Sequence, residues 1–105
     1  MKKIIGIVLV MVTVSACGVK LLMPSEQDVT RVSDKFPGYT LSELSQGKTL
    51  YEENCKKCHG LKAPEKLSEE KWRKIVPPMA KKAKISAGEE ELILKYLITM
   101  SGAQR

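Results

Sequence analysis

From residue 40 onward, the apolar positions recur at helical spacing. Thr40 and Glu43 form a capping box, opening a helix that runs on to Cys55. Its apolar residues Leu44, Leu50 and Tyr51 lie near one face. Gly47 interrupts this helix. A mid-helix glycine costs about 1 kcal/mol against alanine, so its presence predicts the close approach of another backbone. Ser68 caps a further helix with Glu69 and Glu70 in its first turn and Trp72, Ile75 and Val76 on its apolar side. Pro77 and Pro78 remove two amide donors, and they are expected to break or distort it. Ser86 and Glu89 form a second capping box before the stripe Leu92, Ile93, Tyr96, Leu97 and Met100, with Gly102 placed to stop the helix. Upstream, Ser25 to Asp28 cap a short segment bearing Val29, Val32 and Phe36, which Pro37-Gly38 turns. Residues 61–67 read as loop. No run alternates with period two and no segment repeats, so the expected fold is all-α.

The N-terminus has a different pattern. Met1-Lys2-Lys3 is followed by an apolar run from Ile4 to Val14 and then by Val14-Ser15-Ala16-Cys17. A positive start, an apolar stretch and a small-residue ending are the layout of an export signal. An aliphatic residue, two small ones and a cysteine resemble the lipobox of bacterial lipoproteins, which implies lipid on Cys17. The competing reading is an uncleaved anchor. Residues 4–19 fall just under the roughly 17–25 residues of a spanning helix, and Lys20 interrupts the run. Either way the domain is tethered to a membrane outside the cytoplasm, on its periplasmic or other extracytoplasmic side. The expected organisation is a signal at residues 1–16, a tether with a short helical segment at 17–39, and one domain at 40–105.

The chemistry is concentrated in Cys55-Lys56-Lys57-Cys58-His59, which holds the only histidine among the 105 residues. Two thiols three positions apart, followed at once by an imidazole, are the attachment signature of c-type haem. Each thiol adds across one vinyl group of the porphyrin. A single turn of backbone places both sulfurs and swings His59 under the ring toward the iron. A structural zinc site normally needs four ligands, and adjacent Cys58 and His59 are poorly placed to reach one metal together. A thioredoxin-like dithiol needs a strand before it and a helix after it, and no strand run is nearby. With Cys17 assigned to lipid and Cys55 and Cys58 to haem, no cysteine is left over.

Charge changes the picture little. The chain carries +6, from 18 basic and 12 acidic side chains. Loss of Lys2 and Lys3 with the signal leaves 16 against 12, or +4, and the two propionates of one haem lower it further. Nucleic acid is therefore not implied. The excess gathers at Lys62, Lys66, Lys71, Arg73, Lys74, Lys81, Lys82 and Lys84, facing only Glu65, Glu69 and Glu70. This is either a solvated surface or a basic rim that steers an acidic redox partner.

His59 fills one axial position, and the other is left to Met, Lys, water or nothing. Of the methionines beyond the signal, Met23 lies in the tether and Met100 falls on the apolar stripe of the last helix, where it is expected to pack. Met79 follows two prolines and lies 20 residues after His59, enough chain to cross the ring. Met79 is the expected ligand, and His/Met ligation raises the reduction potential. A domain of this size with one tryptophan is thin on core material, so folding is expected to depend on the porphyrin.

These residues resemble the class I cytochromes c, in particular the short single-haem bacterial domains. In that family a glycine and an aromatic precede the motif on the first helix, as Gly47 and Tyr51 do. An aromatic-leucine pair on the last helix, like Tyr96-Leu97, crosses the first helix at the glycine. Trp72, seven residues before Met79, is similar to the halves of certain dihaem cytochromes. The resemblance spans Thr40 to Met100. The loop from His59 to Pro64 is shorter than in mitochondrial-type members, in which a proline carbonyl partners the histidine ring. The resemblance implies a small cytochrome c fold with crossing N- and C-terminal helices around a haem-centred core. It also implies one covalently attached haem c and electron exchange with redox protein partners. Two other roles stay open: a subunit of a membrane oxidoreductase or respiratory complex, and a five-coordinate haem sensor. No general base, nucleophile or second metal site is evident, so neither catalysis nor a small-molecule substrate is expected.

Overall fold

The computed structural model of the chain describes residues 21–59 and 61–103, with the backbone alone for 56–59. The expectations for the signal, for Cys17 and for the Cys58 and His59 side chains lie outside the described residues. Those residues form four α-helices and one short 3₁₀ turn, with no strand among them: α1 (Glu26–Arg31), α2 (Leu41–His59), the 3₁₀ turn (Pro64–Lys66), α3 (Glu69–Ala83) and α4 (Ala87–Ser101). No helix among the described residues is long and apolar enough to cross a membrane.

The crossing of α2 and α4 organises the molecule. A Cβ built on Gly47 would lie 2.3 Å from the Leu92 carbonyl oxygen and 2.7 Å from the Tyr96 Cβ. The missing side chain is thus what lets the two backbones meet, as expected for this glycine. Around the crossing Leu44, Tyr51, Ile93, Tyr96, Leu97 and Met100 are buried in one cluster. Both capping boxes form. The Thr40 amide donates to Glu43 Oε1 at 3.1 Å and the Glu43 amide to Thr40 Oγ1 at 3.1 Å. At α4 the corresponding Ser86–Glu89 bonds measure 3.0 and 3.1 Å. Gly102 caps α4 as expected, though with φ of −92° rather than a left-handed conformation.

The prolines do not break the helix they stand in. α3 runs unbroken from Glu69 to Ala83 with Pro77 and Pro78 inside it. The carbonyls deprived of amide partners belong to Arg73 and Lys74, both exposed, as are the two prolines. Water can satisfy those oxygens, while Trp72, Val76 and Ala80, spaced by four, hold the other face of α3 in the core. The helix ends at Lys84, whose φ of +58° is left-handed. There the Ile85 amide reaches back to the Ala80 carbonyl at 3.3 Å.

The segment preceding α2 packs against the domain. Val32 and Tyr39 are buried in the common core, with Val29 and Phe36 against it. Arg31 joins this segment to α4, donating to Asp28 Oδ1 at 2.8 Å and to the Thr99 carbonyl at 2.6 Å. Lys95 of α4 covers the Phe36 and Tyr39 rings, 5.4 and 5.6 Å from their centroids.

Candidate functional site

Between α2, α3 and α4 lies a half-open apolar cleft with about 750 Å³ of space between its walls, mouth included. Cofactor sites are mostly apolar. Helix α4 supplies the floor through Ile93 and Leu97, which its helical stripe turns inward. Tyr51 of α2 and Trp72 of α3 form an aromatic wall, their rings meeting edge-on with centroids 6.1 Å apart.

Two of the residues expected to carry the chemistry meet here. Cys55, half-buried near the end of α2, lines the cleft. So does Met79, half-buried on α3, three and seven positions after Val76 and Trp72 and hence on the same side of that helix. Cys58 and His59 follow three and four positions further along α2, and only their backbone is described. Met100 is elsewhere: it is 2% exposed and packs in the core, away from the cleft. Met23 is exposed at the start of the described chain. The pentapeptide sits at a helix end, with no strand among the described residues.

A flat apolar ring with carboxylates on one edge fits this cleft. Its walls are aliphatic and aromatic, Cys55 and Met79 line it from two different helices, and Lys62 is the one charged residue among the described lining residues, at an exposed position. Sulfur is a soft donor suited to iron in a porphyrin and to thioether formation.

The loop after the motif is held from the cleft wall. Tyr51 Oη donates to the Lys62 carbonyl at 2.5 Å, and the Lys62 amide donates to Tyr51 Oη at 3.2 Å. Trp72 Nε1 donates to the Pro64 carbonyl at 2.8 Å, which also accepts the Leu67 amide at 3.3 Å. Burial pushes the Tyr51 phenol up to about 12, against the hydrogen bond to the Lys62 backbone. Sequence reasoning placed Tyr51 and Trp72 as packing residues and as points of the family resemblance, without a hydrogen-bonding role. The available signal was their polar tips, since a buried tyrosine or tryptophan needs a partner that phenylalanine would not.

Neither a search of characterised proteins nor one of solved structures returns a match. The sequence model of the cytochrome c family, described as "Cytochrome c", matches residues 44–105, more than half of the chain. That span holds the α2–α4 crossing, the pentapeptide and the whole cleft. The chain belongs to the cytochrome c family, an all-α fold built to carry covalently attached haem c for electron transfer.

Proposed function

We propose that this protein is an electron carrier tethered to a membrane outside the cytoplasm. Haem is attached through Cys55 and Cys58, and the iron is held between His59 and Met79. The observation that supports the reading most directly is that Cys55 and Met79, 24 residues apart in sequence, line one apolar cleft. Bound haem supplies a one-electron ferrous/ferric couple, and the chain supplies ligation, orientation and exclusion of water. A thioether ligand opposite imidazole favours the ferrous state and fills the position where a small ligand would otherwise bind. The Val14-Ser15-Ala16-Cys17 layout supports lipid on Cys17 as the tether.

Partners are read from charge. Lys35 and Arg73 pair with Glu69, and Lys74 lies 3.6 Å from Glu70. Lys81, Lys82 and Lys84 are exposed and make no ion pair among the described residues. They lie at the end of α3 and on its cap, shortly after Met79, so an acidic redox protein, free or within a respiratory complex, would be steered toward that end of the helix.

The ligand assignment has a direct test. Met79→Ala is expected to abolish the weak charge-transfer band of methionine-ligated ferric haem, to lower the reduction potential, and to let the ferrous protein bind carbon monoxide. Met100→Ala should lower stability by about 2–5 kcal/mol and keep the band. Ready carbon monoxide binding by the unaltered protein would instead indicate a five-coordinate sensor.

A further inference from the structure

One side chain bridges the two flanks of the attachment segment. Tyr51 stands four residues before Cys55, and Lys62 stands three residues after His59. The Tyr51 hydroxyl both donates to the Lys62 carbonyl and accepts from its amide, at 2.5 and 3.2 Å. The ring cannot drift, because it is 4% exposed and packed against Trp72 and Tyr96 at 6.1 and 5.8 Å between centroids. Trp72 pins the same loop two residues further on, through the Pro64 carbonyl. Both bonds from Tyr51 go to backbone, so they act on the path of the chain and not on the charge of Lys62.

We propose that Tyr51 is a positioning residue for the haem: its hydroxyl ties the chain leaving the attachment motif to the helix entering it. The inference rests on the reading of residues 55–59 as the attachment site. With the tie in place, the segment that would hold the haem is anchored at both ends, and Lys62 is kept at the cleft wall. The raised phenol pKa of about 12, caused by burial, keeps the hydroxyl protonated and able to donate across the neutral range. Without the tie, the loop opens more often and water reaches the porphyrin edge. Water favours the more highly charged ferric state, so the potential falls.

The test uses the full haem-loaded protein and its Tyr51→Phe variant, which keeps the ring. The mass of one haem on the unaltered chain, localised to residues 55–59, checks the attachment reading separately. For Tyr51→Phe the expected results are helicity like that of the unaltered protein, a lower reduction potential, and about tenfold faster exchange of the Lys62 amide. That factor corresponds to loss of one hydrogen bond. Tyr39→Phe removes a buried hydroxyl that does not line the cleft and is expected to leave the potential in place. An unchanged potential in Tyr51→Phe, or an equal shift in Tyr39→Phe, would overturn the proposal. Should Tyr51→Phe fail to accumulate, the unaltered protein decides: a protected Lys62 amide supports the tie, and one exchanging as fast as an open loop refutes it.

Discussion

At the scale of single residues, the steric demand at Gly47 is the sharpest feature. Alanine would gain about 1 kcal/mol of helix propensity. Its methyl, however, would sit 2.3 Å from the Leu92 carbonyl oxygen, which is backbone and cannot swing aside like a side chain. The helices would have to separate, and overpacking of this kind typically costs about 1–3 kcal/mol or more. Gly47→Ala in the haem-loaded protein is therefore expected to lose about 2 kcal/mol net, read from the denaturant midpoint; a neutral or stabilising effect would mean that α2 and α4 do not meet there. This glycine was legible in sequence because a mid-helix glycine is a local cost without a local reason. Lys84 was not legible. A lysine at φ of +58° breaks the usual preference for glycine, and nothing in its neighbours signals it. The two bonds of the Tyr51 hydroxyl to Lys62 were hidden for another reason: the loop path is decided by packing, and periodicity carries no information about loops.

At the scale of elements, capping chemistry foretold the α-helix starts among the described residues. Ser25, Thr40, Ser68 and Ser86 each precede a helix, because a side-chain oxygen followed by an acidic residue satisfies amides locally. The end of α3 was misread, since the cost of an internal proline is local while its compensation by Trp72, Val76 and Ala80 comes from packing. Helix α1 has only six residues, too few to persist alone, so its tie to α4 through Asp28 and Arg31 must hold it. Burial acts to raise the Asp28 pKa, but the Arg31 and Ser25 hydrogen bonds outweigh it and the net shift is downward from 3.8. A carboxylate with a lowered folded pKa stabilises the fold above its unfolded pKa, and that contribution is lost as pH falls through the folded value. Asp28→Asn should thus destabilise by about 1–2 kcal/mol near neutrality. The gap from the unaltered protein should begin to close below about pH 3.8. A gap of constant size from pH 7 to 3 would show that the charge of Asp28 plays no part.

At the scale of the whole molecule, the cleft decides how the chain holds together. Tyr51, Trp72, Val76, Ile93 and Leu97 belong at once to the core cluster and to the cleft lining, so whatever occupies the cleft packs directly against the core. Burial of apolar surface is worth about 25 cal/mol per Å², and a domain this small has little in reserve. A group that binds the folded chain and not the unfolded one shifts the equilibrium toward folding, and a covalently attached one cannot dissociate. Replacing Cys55 and Cys58 together by alanine removes the attachment while leaving the capping boxes, the Gly47 crossing and the α1 tie in place. Were those sufficient, the haem-free variant would retain its helices. The expectation is that it does not: far-ultraviolet circular dichroism should show a large loss of helicity and no cooperative thermal transition. Near-native helicity would mean that α2, α3 and α4 hold the cleft open by themselves, and that the cofactor is a passenger in the fold instead of part of its core.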